Sequence, residues 1–335
     1  MCELLNGTAL DMLRTLPDAS VDCIVTSPPY WGLRKYGEDP GMIGLEPTFQ
    51  EYLDNLIEVF AECHRVLKAT GTMWINMGDA YAGSWGGQGG PSNLSVPSKG
   101  VNPEKAPNRN GTDLPPKSLI GQPWRLAFAL QDMGFILRSD IIWEKPTAMP
   151  ESVKDRPTRS HEYIFMFAKS RRYWYDAKAI AVPRKTTNGR TPAGWDTGPG
   201  SHATIEHATV KVPASYKGSV PGRKFGPGQD RRSETTRVES DTRNCRTVWT
   251  IGPEPFKGAH FAAFPSEIPR RCILASCPPC GVVLDPFAGT GTTLAAAIAH
   301  GRQAIGIEIN AEYCDLIRER ISRVQLPIVF TEATA

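Results

Sequence analysis

The sequence predicts an α/β protein: a mostly parallel, twisted sheet with helices on both faces. Three observations carry this reading. Residues 1–82 alternate short β-branched runs with segments of helical periodicity, and residues 281–324 read as strand, glycine-rich turn, helix, strand and helix. A chain of 335 residues with 40% hydrophobic and 22% charged content can also bury a full core.

Taken in order, "CELL" (2–5) is a short strand and "ALDMLRTLP" (9–17) has apolar residues at helical spacing. "VDCIVT" (21–26) is short and β-branched, the composition of a buried strand. It runs into "TSPPY" (26–30), where two prolines remove ladder donors and fix their own φ. Pairing ends there, and the strand tip is held in one extended shape. In "FQEYLDNLIEVFAECHRVLKATG" (49–71), Tyr52, Leu53, Leu56, Ile57, Phe60, Cys63 and Leu67 recur every three or four positions. This is an amphipathic helix that Gly71 is placed to end, and "TMWINMG" (72–78) returns as a strand. Residues 83–118 are dominated by Gly, Pro, Ser and Asn and bury too little to offset their ordering entropy, so a mobile loop is expected. Regular structure resumes with the helix "PWRLAFALQDMGF", ending at Gly134, and the strands "ILRSDIIWEK" and "HEYIFMFAKS".

Residues 184–247 hold twelve Lys or Arg against six Asp or Glu, a local net of +6 in a chain whose total is +3. Only eight of those 64 positions carry Val, Ile, Leu, Met, Phe, Trp or Tyr, too few for an independent core. The segment is built to meet a polyanion. The amino-terminal residues lack a basic n-region and no stretch approaches 18 unbroken apolar residues, so a cytoplasmic protein without a membrane span is expected. Eight scattered cysteines read as reduced thiols. "CPPC" (277–280) has metal-ligand spacing, and with Cys272 and His260 it could make a four-ligand site. It lacks a second CxxC pair, so ordinary loop cysteines and no metal are expected.

The carboxyl-terminal unit carries the first functional signal. In "VVLDPFAGTGTTLAAAIA" a buried strand ends at Asp285, small residues turn the chain, and a helix begins near Thr292. Glycines there let a ligand approach the backbone, and the helix start offers unpaired N–H groups. Glu308 ends the next strand, seventeen residues after Gly291, where a ribose-diol acceptor sits in nucleoside-binding folds. No lysine follows the turn as a P-loop requires, and "FAGTGTT" departs from the GxGxxG of NAD sites. The turn therefore suits a cofactor without a pyrophosphate.

"DPFAGTGTT" resembles the S-adenosylmethionine motif of the amino-group DNA methyltransferases, and "TSPPY" resembles the target-base motif of that family. "FAECHRVLKATGTMWIN", "IIWEKPTAMPESVKDRPTRSHEYIFMFAKSRRYWYD" and "HFAAFPSEIPRRCI" extend the match to roughly two-thirds of the chain. The order, target motif first and cofactor motif last, is that of the permuted β-class, of phage or restriction-modification type. One departure is Thr8, which follows Gly7 where relatives often carry Asp.

The resemblance implies a Rossmann-like methyltransferase fold with inserted irregular segments, S-adenosyl-L-methionine as cofactor and double-stranded DNA as partner. It also implies the site. Asp285, Pro286, Phe287, Gly289, Gly291, Thr292 and Glu308 would hold the cofactor, with His260 and Phe261 beneath its methionine portion. The Ser27 hydroxyl and the Pro28 carbonyl would accept the two amino hydrogens of the target base, Pro29 would stiffen the tip and Tyr30 would stack on the base. Candidate DNA contacts are Trp31, Arg34, Lys35, Arg223, Lys224, Arg231 and Arg232, with Trp31 having an equal claim as a core residue. Ser at the head of the motif is typical of relatives that methylate cytosine N4, whereas Asp is typical of adenine N6, which stands as the alternative.

The implied organisation is a catalytic core in 1–82 and 119–183, a loop in 83–118, a basic variable segment in 184–247 as target-recognition region, and the cofactor-binding part of the core in 248–335. A homodimer and a cognate restriction nuclease are partners on which the sequence is silent. Cytosine-C5 chemistry would need a Pro-Cys nucleophile after the target strand, but "PPC" (278–280) precedes the cofactor strand. Glutamine and RNA methyltransferases with a Pro-Pro-Tyr tip usually place it after the cofactor motif. A non-catalytic DNA-binding module is the remote alternative, and it would show no cofactor affinity.

Overall fold

The computed structural model describes residues 2–31, 41–83, 111–148, 150–183, 242–254 and 264–324. The chain divides into a large unit, Met1–Ile180 with Cys245–Ala335, and a small one, Ala181–Asn244.

In chain order the elements are β1 (Cys2–Asn6), α1 (Ala9–Thr15), β2 (Val21–Thr26), α2 (Phe49–Val66), β3 (Leu67–Met77), α3 (Gln122–Asp132), β4 (Ile136–Glu144) and β5 (His161–Ala168). Then come β6 (Val182–Pro183), β7 (Thr242–Arg243), β8 (Val248–Thr250), α4 (Glu267–Ser276), β9 (Val282–Asp285), α5 (Thr292–Ala299), β10 (Gln303–Glu308) and α6 (Ala311–Ser322). In the small unit the described residues form the antiparallel pair β6–β7.

The large unit is built on an eight-stranded sheet in the order β1-β10-β9-β2-β3-β5-β4-β8. From β1 to β3 every neighbouring pair is parallel. β5 runs antiparallel to both β3 and β4, and β8 closes the far edge parallel to β4. The pleat sends successive β2 side chains to opposite faces. Ile24 joins Met73, Ile75 and Phe167 in the core shared with α1, α2 and α3, while Cys23 and Val25 join Trp74 and Val283 in the core shared with α4, α5 and α6. All six residues of β2 are buried, as a central strand covered on both faces requires.

The chain leaves β2 through α2 to reach β3 on one side, and leaves β9 through α5 to reach β10 on the other. The sheet order therefore reverses between β2 and β9, and a crevice opens at their carboxyl ends.

Local chemistry explains the helix starts. Thr48 and Glu51 make a reciprocal capping box on α2, with Thr48 Oγ1 accepting from the Glu51 amide (3.2 Å) and the Glu51 carboxylate accepting from the Thr48 amide (3.0 Å). Thr8 caps α1, its Oγ1 accepting from the Asp11 amide at 3.1 Å. One expectation fails: Gly71 does not end α2. The helix stops at Val66, Leu67 begins β3, and Gly71 lies inside that strand. A Cβ at Gly71 would sit 2.9 Å from the Asp22 carbonyl oxygen and 2.7 Å from Leu67 Cδ1, so close backbone approach is what calls for glycine there.

Candidate active site

The tips of β2 and β9 meet in one crevice of about 1460 Å³. Ser27, Pro28, Pro29 and Tyr30 line it from the β2 side, and Asp285, Pro286, Phe287, Gly289, Thr292 and Glu308 line it from the other. The pairing Ile24 with Leu284 sets the two tips level, and Thr26 Oγ1 donates to Asp285 Oδ1 at 2.7 Å, tying them together. The double proline is pinned from α2, since the Tyr52 hydroxyl donates to the Pro29 carbonyl at 2.8 Å.

On the β9 side the turn is shaped by glycine. Gly291 has φ of +74° and is the residue before α5, which begins at Thr292 as the sequence predicts. A Cβ at Gly291 would approach Ile317 at 3.1 Å as well as strain the backbone. Glu308 is 8% exposed at the end of β10, and its carboxylate accepts from the amides of Gly289 (2.8 Å) and Asn310 (2.9 Å). Burial pushes its pKa up, and these amides pull it back down. Arg320 of α6, which carries no signal in the sequence, fastens the turn from outside by donating to Thr290 O, Thr290 Oγ1 and Thr292 Oγ1 at 3.2, 3.2 and 2.9 Å.

Asp285 is almost wholly buried, and desolvation raises its pKa to about 6 against hydrogen bonds from Thr26, Thr293 and the Phe287 amide. In the unfolded chain the same carboxyl releases its proton near 3.8. Between those values the unfolded chain binds fewer protons than the folded one, so this group's contribution to stability falls as pH rises from about 4 to 6. Asp285→Asn retains an oxygen for Thr26 and Phe287 but cannot ionise. It is expected to be more stable than the parent at pH 7, by up to about 3 kcal/mol, and equal to it near pH 4, as denaturant unfolding at the two pH values would measure.

On the β2 side the structure adds residues that the sequence did not single out. Tyr30 Oη donates to Glu162 Oε2 at 2.9 Å, with Asn76 Oδ1 farther away at 3.5 Å. Asn76 Nδ2 donates to the same Glu162 oxygen (3.1 Å) and to the Tyr163 carbonyl (3.1 Å). Lys145 Nζ pairs with Glu162 Oε1 and lies 4.3 Å from the centre of the Trp143 ring. Burial first, and the Glu162 charge second, hold the Tyr30 phenol well above its ordinary pKa, so it remains a neutral donor. Glu162 and Lys145 lie within a stretch that matches the family as a whole, but no periodicity marks them. Only the antiparallel return of β5 beside β3 brings them to this edge.

Trp31 requires a correction as a candidate DNA contact. It is fully buried, its Nε1 donates to the Glu46 carbonyl at 2.8 Å, and its ring packs edge-on against Phe49. A large ring with one polar atom satisfied internally is core. His260, Phe261, Arg34, Lys35, Arg223, Lys224, Arg231 and Arg232 lie outside the described residues. Cys272 and Cys277 are buried, Cys280 is exposed, and among the described residues no group of three or more His, Cys, Asp or Glu could hold a metal. No helix among them is long and apolar enough to cross a membrane.

A parallel sheet with a glycine turn facing a rigid polar strand tip across its switch point defines a nucleoside-cofactor transferase. The family model described as DNA methylase matches residues 21–319, and the chain belongs to that family. It is 43% identical over 322 residues to the Type II methyltransferase M.Cfr9I of Citrobacter freundii, covering 95% of this chain and 87% of that protein. M.SmaI of Serratia marcescens is 40% identical over 322 residues, covering 96% and 91%. Among solved structures, a DNA modification methylase of Thermus thermophilus in complex with S-adenosyl-L-methionine superposes with a TM-score of 0.52 at 25% identity, covering 96% of this chain and 95% of that one. PvuII DNA methyltransferase (cytosine-N4-specific) gives 0.59 at 18% identity over 100% and 88%, a likeness of fold.

The cofactor of this family is S-adenosyl-L-methionine, and the residues present fit it. The crevice offers the buried Glu308 carboxylate, the turn at Gly289 and Gly291 with its helix start, and the apolar Phe287. Such a set matches a diol, a small polar chain and an aromatic base, without the lysine that a triphosphate would demand.

Proposed function

We propose that this DNA methyltransferase acts on the exocyclic N4 of cytosine in double-stranded DNA, with the target nucleotide extruded into the crevice beside Ser27. The observation that carries the reading is the single cavity joining the Ser27 tip to the Asp285 turn. When bound, S-adenosyl-L-methionine supplies an electrophilic methyl group on a sulfonium.

The rest is the work of the chain. An exocyclic amino nitrogen is a poor nucleophile because its lone pair is delocalised into the ring. The Ser27 hydroxyl and the Pro28 carbonyl accept its two hydrogens and turn the nitrogen toward tetrahedral geometry. The two prolines and the Tyr52 bond keep that grip from drifting, and positioning of this kind is worth several orders of magnitude in rate. The Tyr30 ring stacks on the base. Asp285, Pro286, Phe287, Gly289, Gly291, Thr292 and Glu308 hold the cofactor, with Glu308 on its ribose hydroxyls.

The choice of cytosine over adenine rests on Ser27 at the head of the motif, the form typical of N4-specific relatives. Affinity for the duplex comes from Lys and Arg on phosphates, with the basic segment 184–247 as recognition region. The Type II designation of the relatives supports a pairing with a restriction nuclease of the same site. Modified-base sequencing of DNA from cells expressing the protein tests the proposal. N4-methylcytosine at one recurring sequence is expected, N6-methyladenine there would overturn the choice of base, and unmodified DNA would overturn the activity.

A further inference from the structure

We infer that Glu162 is a positioning residue of the target site, acting through the Tyr30 hydroxyl to present the Ser27 oxygen as a hydrogen-bond acceptor. This rests on the reading that Ser27 grips the amine.

Donor and acceptor polarity along the chain of hydrogen bonds leads there. Glu162 is the second residue of β5, which pairs with β3 so that Tyr163 lies opposite Met77, and its side chain therefore reaches the sheet edge where β2 ends. Three donors converge on its carboxylate: the Tyr30 hydroxyl and Asn76 Nδ2 on Oε2, and the Lys145 ammonium on Oε1. An ionised carboxylate accepts only. Tyr30 must therefore spend its single proton on Glu162, and its oxygen is left to accept.

That oxygen accepts from the Gly78 amide and from the Ser27 hydroxyl, the latter at 3.5 Å. This is the long end of the hydrogen-bond range, and such bonds in catalytic sites commonly tighten when substrate binds. With its proton directed at Tyr30, the Ser27 oxygen has only lone pairs to offer, which is what an amino N–H requires. A serine hydroxyl alone could rotate to donate or accept. The carboxylate two bonds away removes that freedom.

Glu162→Gln replaces an acceptor-only group with an amide that has one acceptor and one donor. If its oxygen turns to the Lys145 ammonium, its N–H₂ faces Tyr30, the phenol proton swings toward Ser27, and the polarity of the chain reverses. Tyr30→Phe keeps the ring and cuts the chain at its middle.

The experiment is a double-mutant cycle on the full-length protein, following methyl incorporation from labelled S-adenosyl-L-methionine into duplex DNA. Each single variant is expected to lower kcat by about 10- to 100-fold, the scale of a small misplacement at a reacting centre. KM for DNA and Kd for the cofactor should stay within about twofold of the parent. The double variant should match Tyr30→Phe alone within about twofold, because Phe has already severed the link. Losses that multiply in the double variant would overturn the inference, since a merely structural role of Glu162 predicts independence. If Glu162→Gln fails to bind cofactor, Tyr30→Phe decides alone, and an unchanged kcat overturns the inference. A parent protein that methylates no amino group in DNA overturns the reading of Ser27 and this role with it, whereas multiplying losses in an active parent overturn only the role of Glu162.

Discussion

Replacing Ser27 by alanine is expected to lower the rate of methyl transfer by about 100-fold or more, while S-adenosyl-L-methionine binds nearly as before. The size follows from losing one preorganised partner at the atom whose geometry changes in the reaction, a loss typically worth about 100- to 1000-fold. Cofactor binding is spared because Ser27 is attached to the Asp285 turn only indirectly. The link between the two tips is made by its neighbour, whose hydroxyl donates to Asp285 at 2.7 Å, and alanine at position 27 leaves Thr26 untouched. Stability should change little, since Ser27 sits at the crevice wall and its one protein partner is the distant Tyr30 hydroxyl. Single-turnover methylation and calorimetric titration with the cofactor separate the two effects. A Ser27→Ala protein that methylates at the parent rate, or that no longer binds cofactor, contradicts the role assigned to it.

Glu308→Ala should have the opposite profile, weakening cofactor binding by roughly 30- to 1000-fold, or about 2–4 kcal/mol. Hydrogen bonds to a charged acceptor contribute about 1.5–3 kcal/mol each. Alanine also leaves the Gly289 and Asn310 amides without the carboxylate that orders them, so the turn itself loosens. Glu308→Gln is the finer probe, because it retains an oxygen for one amide while removing the charge, and it should fall between the parent and alanine. A cofactor Kd unchanged in Glu308→Ala would remove Glu308 from the site.

Much of this arrangement is legible in the residue order. Elements announced by periodicity or by punctuation, such as α2 with its stripe from Tyr52 to Cys63 and β2 stopped by two prolines, stand where the pattern puts them. The turn from Asp285 to Thr292 is legible because strand, glycines and helix start are contiguous, and each is a local preference. Gly71 misleads for a related reason: a glycine after a helical stripe looks like a stop, but its actual cause is the approach of the Asp22 carbonyl from a neighbouring strand. Trp31 misleads because an aromatic residue after a catalytic tip reads equally as surface or core. Only the Glu46 carbonyl and Phe49, contributed by a later segment, settle it as core.

By itself the sequence determined the alternation of strand and helix, the stiff tip at Ser27, the glycine turn at Asp285 and the acid at Glu308, because each is written in neighbouring residues and obeys short-range rules of φ, hydrogen bonding and burial. The tertiary structure alone decided that β2 and β9 lie side by side, that Thr26 bonds to Asp285, and that Glu162 and Lys145 arrive beneath Tyr30 from more than a hundred residues away. Those contacts depend on which strands pair across the whole sheet, a long-range packing outcome that no local pattern encodes.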